Sequence, residues 1–153
     1  MRGKLTALLS GLLCGAVSMG AAAHEDPIRH AQEVRQSAMI LIANDFGYMN
    51  AMVKGELPWD DAKFVERGRE LGALGQLDLL RGFVADSYEG KTRAKPDVEL
   101  EFEDFSDKMN KFESALQKFG AGDAASMKSQ FKDLAENCKG CHKKYKSKEF
   151  QGD

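Results

Sequence analysis

Five consecutive residues, Cys138-Lys139-Gly140-Cys141-His142, set two thiols and an imidazole at the spacing used to attach a c-type haem covalently. Thiols three residues apart share one side of a helix, so both can add to the vinyl groups along one porphyrin edge. His142 lies four residues beyond Cys138 and about 100° of helix rotation from Cys141, which lets its imidazole turn beneath the ring and ligate iron. Two other chemistries use such thiols. A zinc site needs further Cys or His ligands, and the rest of the chain offers only Cys14, His24 and His30. A thioredoxin-like dithiol needs a βαβ setting, whereas this sequence reads as helical. The favoured reading is one haem c per chain.

Only 11 residues follow His142, and none is Met or His, so any protein ligand on the opposite iron face comes from upstream. Met39 is the natural source. A Met in a core stripe packs by default, so steric capping of an open iron face is favoured over ligation. Arg35 sits one turn before Met39 on an otherwise apolar stripe, where a charge needs a partner, and a haem propionate is the obvious one. Thr92 and Lys95 could reach a propionate as well. No His, Asp or Glu lies on the stripe near Met39 to act as an acid or base, which disfavours an enzyme such as a peroxidase. Lys139, Lys143, Lys144, Lys146 and Lys148 surround the attachment site and read first as solvated helix surface, second as a dock for an acidic redox protein partner. His24 and His30 are assigned no role.

These residues need elements to hold them. From Pro27 to about Lys54 the residues Arg35, Met39, Ile42, Phe46, Met49 and Val53 follow a 4, 3 stripe, with Asp26-Pro27 as cap and first turn and Gly55 as the stop. A second helix is expected from Pro58 to about Leu80, and its Gly68, Gly72 and Gly75 form a small-residue line against which something packs closely. The segment from Arg81 to Pro96 has no clear period. From Asp97 to Phe119 the stripe Val98, Phe102, Phe105, Met109, Phe112, Leu116 and Phe119 gives the plainest amphipathic signal. The last helix is expected from Asp123 to about Lys148, with Met127, Phe131, Leu134, Cys138, Cys141 and Tyr145 on its apolar face. Four such helices and no convincing strand make an all-α, antiparallel four-helix bundle with haem in its core.

The chain opens with basic Met1-Arg2-Gly3-Lys4, an uncharged apolar run from Leu5 to Gly20, and Ala21-Ala22-Ala23. That order reads as a secretory signal peptide cleaved after Ala23, with Cys14 a filler inside it. Residues 24–153 then form one haem domain of 130 residues with a net charge of −4, and no membrane anchor remains after cleavage. Nothing global suggests nucleic acid. Both remaining cysteines belong to the motif, so export serves haem attachment and not disulfide formation.

With its haem motif at the C-terminus of an exported four-helix chain, the sequence resembles the cytochrome c′ family. The likeness is carried by Arg35-Gln36-Ser37-Ala38, Phe46-Gly47-Tyr48-Met49, Val53-Lys54-Gly55-Glu56-Leu57-Pro58 and Cys138 through Tyr145. It implies a periplasmic homodimer formed through the first two helices. It also implies five-coordinate iron that binds nitric oxide and carbon monoxide, and a role in nitric oxide handling or electron transfer. Arg35 and Gln36 match the positions that meet a propionate, and Met39 matches the bulky distal residue over the open face. In a related low-spin bundle cytochrome a Met in a similar setting is a true sixth ligand, which makes an electron carrier with Met39 on iron the alternative. Two positions depart from the family pattern. Lys146 stands where the family often has Arg near the proximal iron face, keeping the charge but losing the planar fork. Val98-Glu99-Leu100-Glu101-Phe102 stands where it often has Trp.

Overall fold

The computed structural model describes residues 26–151, so the leader, Cys14 and His24 lie outside the described residues. Four long helices, α1 (Pro27–Val53), α2 (Asp61–Leu74), α4 (Phe102–Gly120) and α5 (Ala124–Tyr145), form the bundle, and α3 (Asp97–Leu100) is a single turn before α4. Helix starts follow the capping residues. Asp26 accepts from the Ile28 N–H at 3.0 Å with Pro27 at the first position, Asp60 from Lys63 at 3.0 Å, and Asp123 from Ser126 at 2.8 Å. Gly55 stops α1 with φ +74°, a left-handed conformation that costs glycine nothing.

Each long helix buries one stripe. Met49, Phe64, Leu71, Phe105, Leu116, Phe119, Met127 and Phe131 are the centre of the core. Phe131 stacks on Phe46 at 4.5 Å and approaches Phe64 at 6.0 Å, so α1, α2 and α5 are joined through aromatic rings. Val53 and Phe102, placed on apolar stripes by spacing alone, are exposed at 43% and 44%, because each lies at an end of its helix beyond the neighbouring packing.

The glycine line is an internal seam. A Cβ on Gly72 would stand 2.8 Å from the Gly120 Cα, and one on Gly75 would stand 2.7 Å from the Leu116 Cβ. Helix α2 therefore rests on α4 at backbone distance, and the line marks no outer surface.

Four expectations need correction. Helix α2 ends at Leu74, and a 3-10 turn at Leu79–Gly82 follows. The third helical stretch breaks at Glu101, whose φ −125° and ψ 42° are not helical. The last helix stops at Tyr145 rather than Lys148, and strands are present. Lys146–Gln151 forms β2, antiparallel to β1 (Thr92–Ala94), pairing Ala94 with Lys146 and Thr92 with Gln151. The Lys95 N–H donates to the Tyr145 carbonyl at 2.9 Å at the junction. A ladder between segments some fifty residues apart leaves no periodic trace in a three-residue strand.

Candidate functional site

The bundle is hollow at one end. A cavity of about 560 Å³ lies between α1, α4 and α5 and is closed at the side by the β1–β2 ribbon. Pockets that enclose a cofactor span roughly 300–1,000 Å³. Helix α1 contributes Arg35, Gln36, Met39, Ile42 and Phe46 to its wall, α4 contributes Phe105, Met109 and Phe112, and α5 contributes Cys138, Cys141 and His142. Val98 is fully buried and also lines it. The lining is overwhelmingly carbon.

The two thiols open onto this space from the inner side of α5. Both are free and half-buried. Burial pushes the Cys138 thiol up to about 11 and raises Cys141 as well, so both are held as thiols rather than thiolates. His142, one residue on, has exposed surface yet lines the same cavity; the protein mass around its imidazole, then Lys146 and Arg93, lowers its pKa and favours the neutral ring that ligates a metal. Met39 is half-buried on the α1 wall. Among the described residues no group of three or more His, Cys, Asp or Glu side chains is arranged to hold a bare metal ion.

Arg35 supplies a second test of what the cavity holds. The residue is 4% exposed, and its terminal nitrogens donate to the Gly82 carbonyl at 2.9 Å, to the Ser87 carbonyl, to Ser87 Oγ at 2.7 Å and to Thr92 Oγ1 at 2.7 Å. Phe83 and Tyr88 each present a ring 5.4 Å from the guanidinium carbon. Every acceptor is a neutral oxygen. Burial lowers the Arg35 pKa, and a cation compensated only by neutral dipoles still favours an anion nearby. A porphyrin edge carrying carboxylates meets that need, so apolar walls, paired thiols, an imidazole and a buried cation all fit haem.

Comparison with known proteins agrees. The family model described as Cytochrome C′ matches residues 30–146. A curated cytochrome c′ of Rubrivivax gelatinosus is 38% identical over 123 residues, covering 77% of this chain and 95% of that protein. The chain belongs to the cytochrome c′ family. The solved cytochrome c prime from Shewanella frigidimarina superposes with a TM-score of 0.73 at 36% identity, covering 80% of this chain and 98% of that one. The nitric oxide complex of a leucine-to-alanine mutant of cytochrome c prime from Alcaligenes xylosoxidans superposes at 0.67 with 30% identity, covering 80% and 97%. The fold is the four-helix bundle of cytochrome c′, and the cofactor is covalently bound haem c. No helix among the described residues is long and apolar enough to cross a membrane.

Within that cytochrome c′ frame the structure redistributes several polar residues. Gln36 lines the cavity and donates to the Lys91 carbonyl at 2.8 Å. Thr92 lines it too, buried, accepting from Arg35 and from the Ala94 N–H. Lys95 does not reach it. That ammonium donates to the Lys144 carbonyl at 2.8 Å and faces Asp97 at 3.6 Å. Nor do the five clustered lysines act together: Lys144 is tied to Glu101, which precedes α4, and to Asp104 of α4. The other four line a second, open cleft that adjoins the cavity and shares Cys138, His142 and Lys146 with it, together with Arg93, a residue that sequence reasoning missed. Arg93 brings a guanidinium into the cleft beside Lys146, close enough to act on the His142 imidazole. Gln32 was missed as well; it donates to the Ser87 and Glu89 carbonyls at 3.0 and 2.9 Å, beside Arg35. An apolar-face Gln one turn before Arg35 was its only trace.

Proposed function

We propose that this cytochrome c′ binds diatomic gases, nitric oxide and carbon monoxide, on an open iron face beneath Met39, and that it also passes single electrons. Cys138 and Cys141 would hold the cofactor through thioethers, and His142 would ligate its iron. Haem c supplies an iron that takes one electron or binds one small gas. The chain supplies the rest. Ile42, Phe46, Met109 and Phe112 keep water from the distal space, while Met39 limits access by its bulk. Arg35 and Gln36 neutralise and orient the propionate edge, Arg35 from a position fixed by loop oxygens. The observation that carries the reading is the placement of Met39 on the α1 wall and His142 on the α5 wall of one apolar cavity that has no carboxylate in its lining.

Export to the periplasm follows from the order of residues 1–23. A homodimer through α1 and α2 is supported by the exposed apolar pair Leu41 and Tyr48, seven residues apart on α1, with Tyr48 beside Arg67 of α2 at 5.3 Å. Sedimentation of wild type and Leu41→Glu tests it, with a dimer expected for the first alone.

The spectrum of the reduced protein tests the central claim. High-spin ferrous iron is expected, and Met39→Ala should speed carbon monoxide binding about tenfold, equivalent to some 1.4 kcal/mol of barrier, with the resting spectrum unchanged. A low-spin spectrum that becomes high-spin in Met39→Ala would make Met39 the sixth ligand and electron transfer the leading role. Acid and organic solvent should fail to extract the pigment, and mass spectrometry should add one haem to a chain beginning at His24.

A further inference from the structure

Arg93, Lys139, Lys143, Lys146 and Lys148 line one open cleft of about 570 Å³, with α5 as one bank and the β1–β2 ribbon as the other. No carboxylate is among its lining residues. One ion pair touches the set among the described residues, Lys139 with Glu136 at 3.6 Å, and both side chains are well exposed. Arg93 is anchored by its Nε–H donating to the Ser147 carbonyl at 3.1 Å, so the ribbon holds it beside Lys146. The whole chain has a formal charge of −2, which leaves −7 for everything outside these five residues. A cationic recess on an anionic molecule is a strong local field, and such a field selects and orients an approaching surface of opposite sign.

We propose that this cleft is the docking face for an acidic protein, a single-electron donor or acceptor, whose carboxylates seat between α5 and the ribbon. Five cations spread over α5 and both strands of the ribbon exceed what one small anion neutralises, and a recess suits a protruding acidic loop better than a flat lipid surface. Cys138 and His142 line the same cleft, so a docked partner stands against the attachment edge. Resting on the electron-transfer part of the reading above, this contact lets one electron leave the reduced partner and be gained by the haem iron, with no bond or proton exchanged.

Two measurements on the haem-loaded protein decide the matter. Calorimetric titration with polyglutamate at low ionic strength should show binding that weakens with added salt. Carbodiimide coupling should then link the polymer chiefly to Lys139, Lys143, Lys146 and Lys148. The variant Lys139→Glu/Lys143→Glu/Lys148→Glu should lose affinity at least about tenfold. It should also accept electrons at least about tenfold more slowly from an acidic iron–sulfur ferredoxin, while Lys111→Glu/Lys118→Glu on α4 changes neither. Equal binding by both variants, or cross-links confined to other lysines, would overturn the proposal. So would inorganic sulfate competing at the same affinity as the polymer, binding to phosphatidylglycerol vesicles without binding to polyglutamate, or self-association abolished by the triple change. A protein found to lack haem would defeat the function proposed above, while the polyglutamate map would still decide whether the cleft docks acidic protein.

Discussion

The two ends of this bundle are built on the same heptad-like spacing and pack in opposite ways. Where α2 crosses α4, glycine meets glycine, and the backbones approach until a Cβ at Gly72 would stand 2.8 Å from Gly120. Where α1 faces α5, Arg35, Met39 and Phe46 stand across about 560 Å³ from Cys138, Cys141 and His142. One end is closed by the absence of side chains, and the other is held open by aromatic pillars and a hydrogen-bonded loop. Apolar periodicity thus specifies which face turns inward but not how far apart the faces come to rest. Side-chain size at a few positions sets that distance.

Removing the cofactor should widen the contrast most. A haem-free Cys138→Ser/Cys141→Ser protein should lose amide protection roughly 100-fold or more along 35–46 and 137–145, since nothing then fills the cavity those segments enclose. Protection along 64–75 and 113–120 should fall far less, and hydrogen exchange followed by mass spectrometry reads both at once. Uniform loss along the chain would mean that the closed end has no independent stability.

Filling the closed end is the complementary perturbation. Gly72→Leu drives a side chain into the Gly120 backbone, which has no rotamer to yield, and should destabilise by about 3 kcal/mol. Thermal melting should drop by several degrees while the haem spectrum of the folded fraction stays unchanged. A stable but monomeric variant would instead place the glycine line at the interface between copies of the chain.

Arg35→Ala tests what holds the hollow end open. Its loss leaves the Gly82 carbonyl without its side-chain donor and the Ser87 carbonyl with Gln32 alone, and should cost about 2 kcal/mol, with faster proteolysis between residues 82 and 92. If the residue also neutralises a propionate, the reduction potential moves as well; a change in stability alone would confine it to tethering the loop.

The smallest effect concerns Asp104, which accepts from Lys108, Lys144 and Tyr145 and is held well below the usual carboxylate range by those three bonds. A folded-state pKa lowered in this way contributes stability above about pH 4, and that contribution is lost as pH falls toward the depressed value. Asp104→Asn should therefore melt slightly below wild type at neutral pH, and the gap should shrink between about pH 4 and pH 2. A gap that is constant with pH would show that the carboxylate charge is not what joins α4 to the end of α5.

Local chemistry settled a good deal of this protein before any contact was known. The pentapeptide from Cys138 to His142 defines its own haem geometry because three side chains within five residues of one helix have fixed relative directions. Asp26, Asp60 and Asp123 mark helix starts because each satisfies backbone donors only two or three residues away. Met39 and Arg35 were legible as inward-facing residues because their stripe faces the core in any bundle, and both line the cavity. Tertiary structure decided the rest, for reasons of distance along the chain. Gly72 finding Gly120, Arg35 finding Ser87 and Thr92, and β2 finding β1 are each pairings across roughly fifty residues, and neither member carries a local signal of its partner. The same holds for Arg93. Only the ribbon places it beside Lys146, and only then do scattered lysines become one charged cleft.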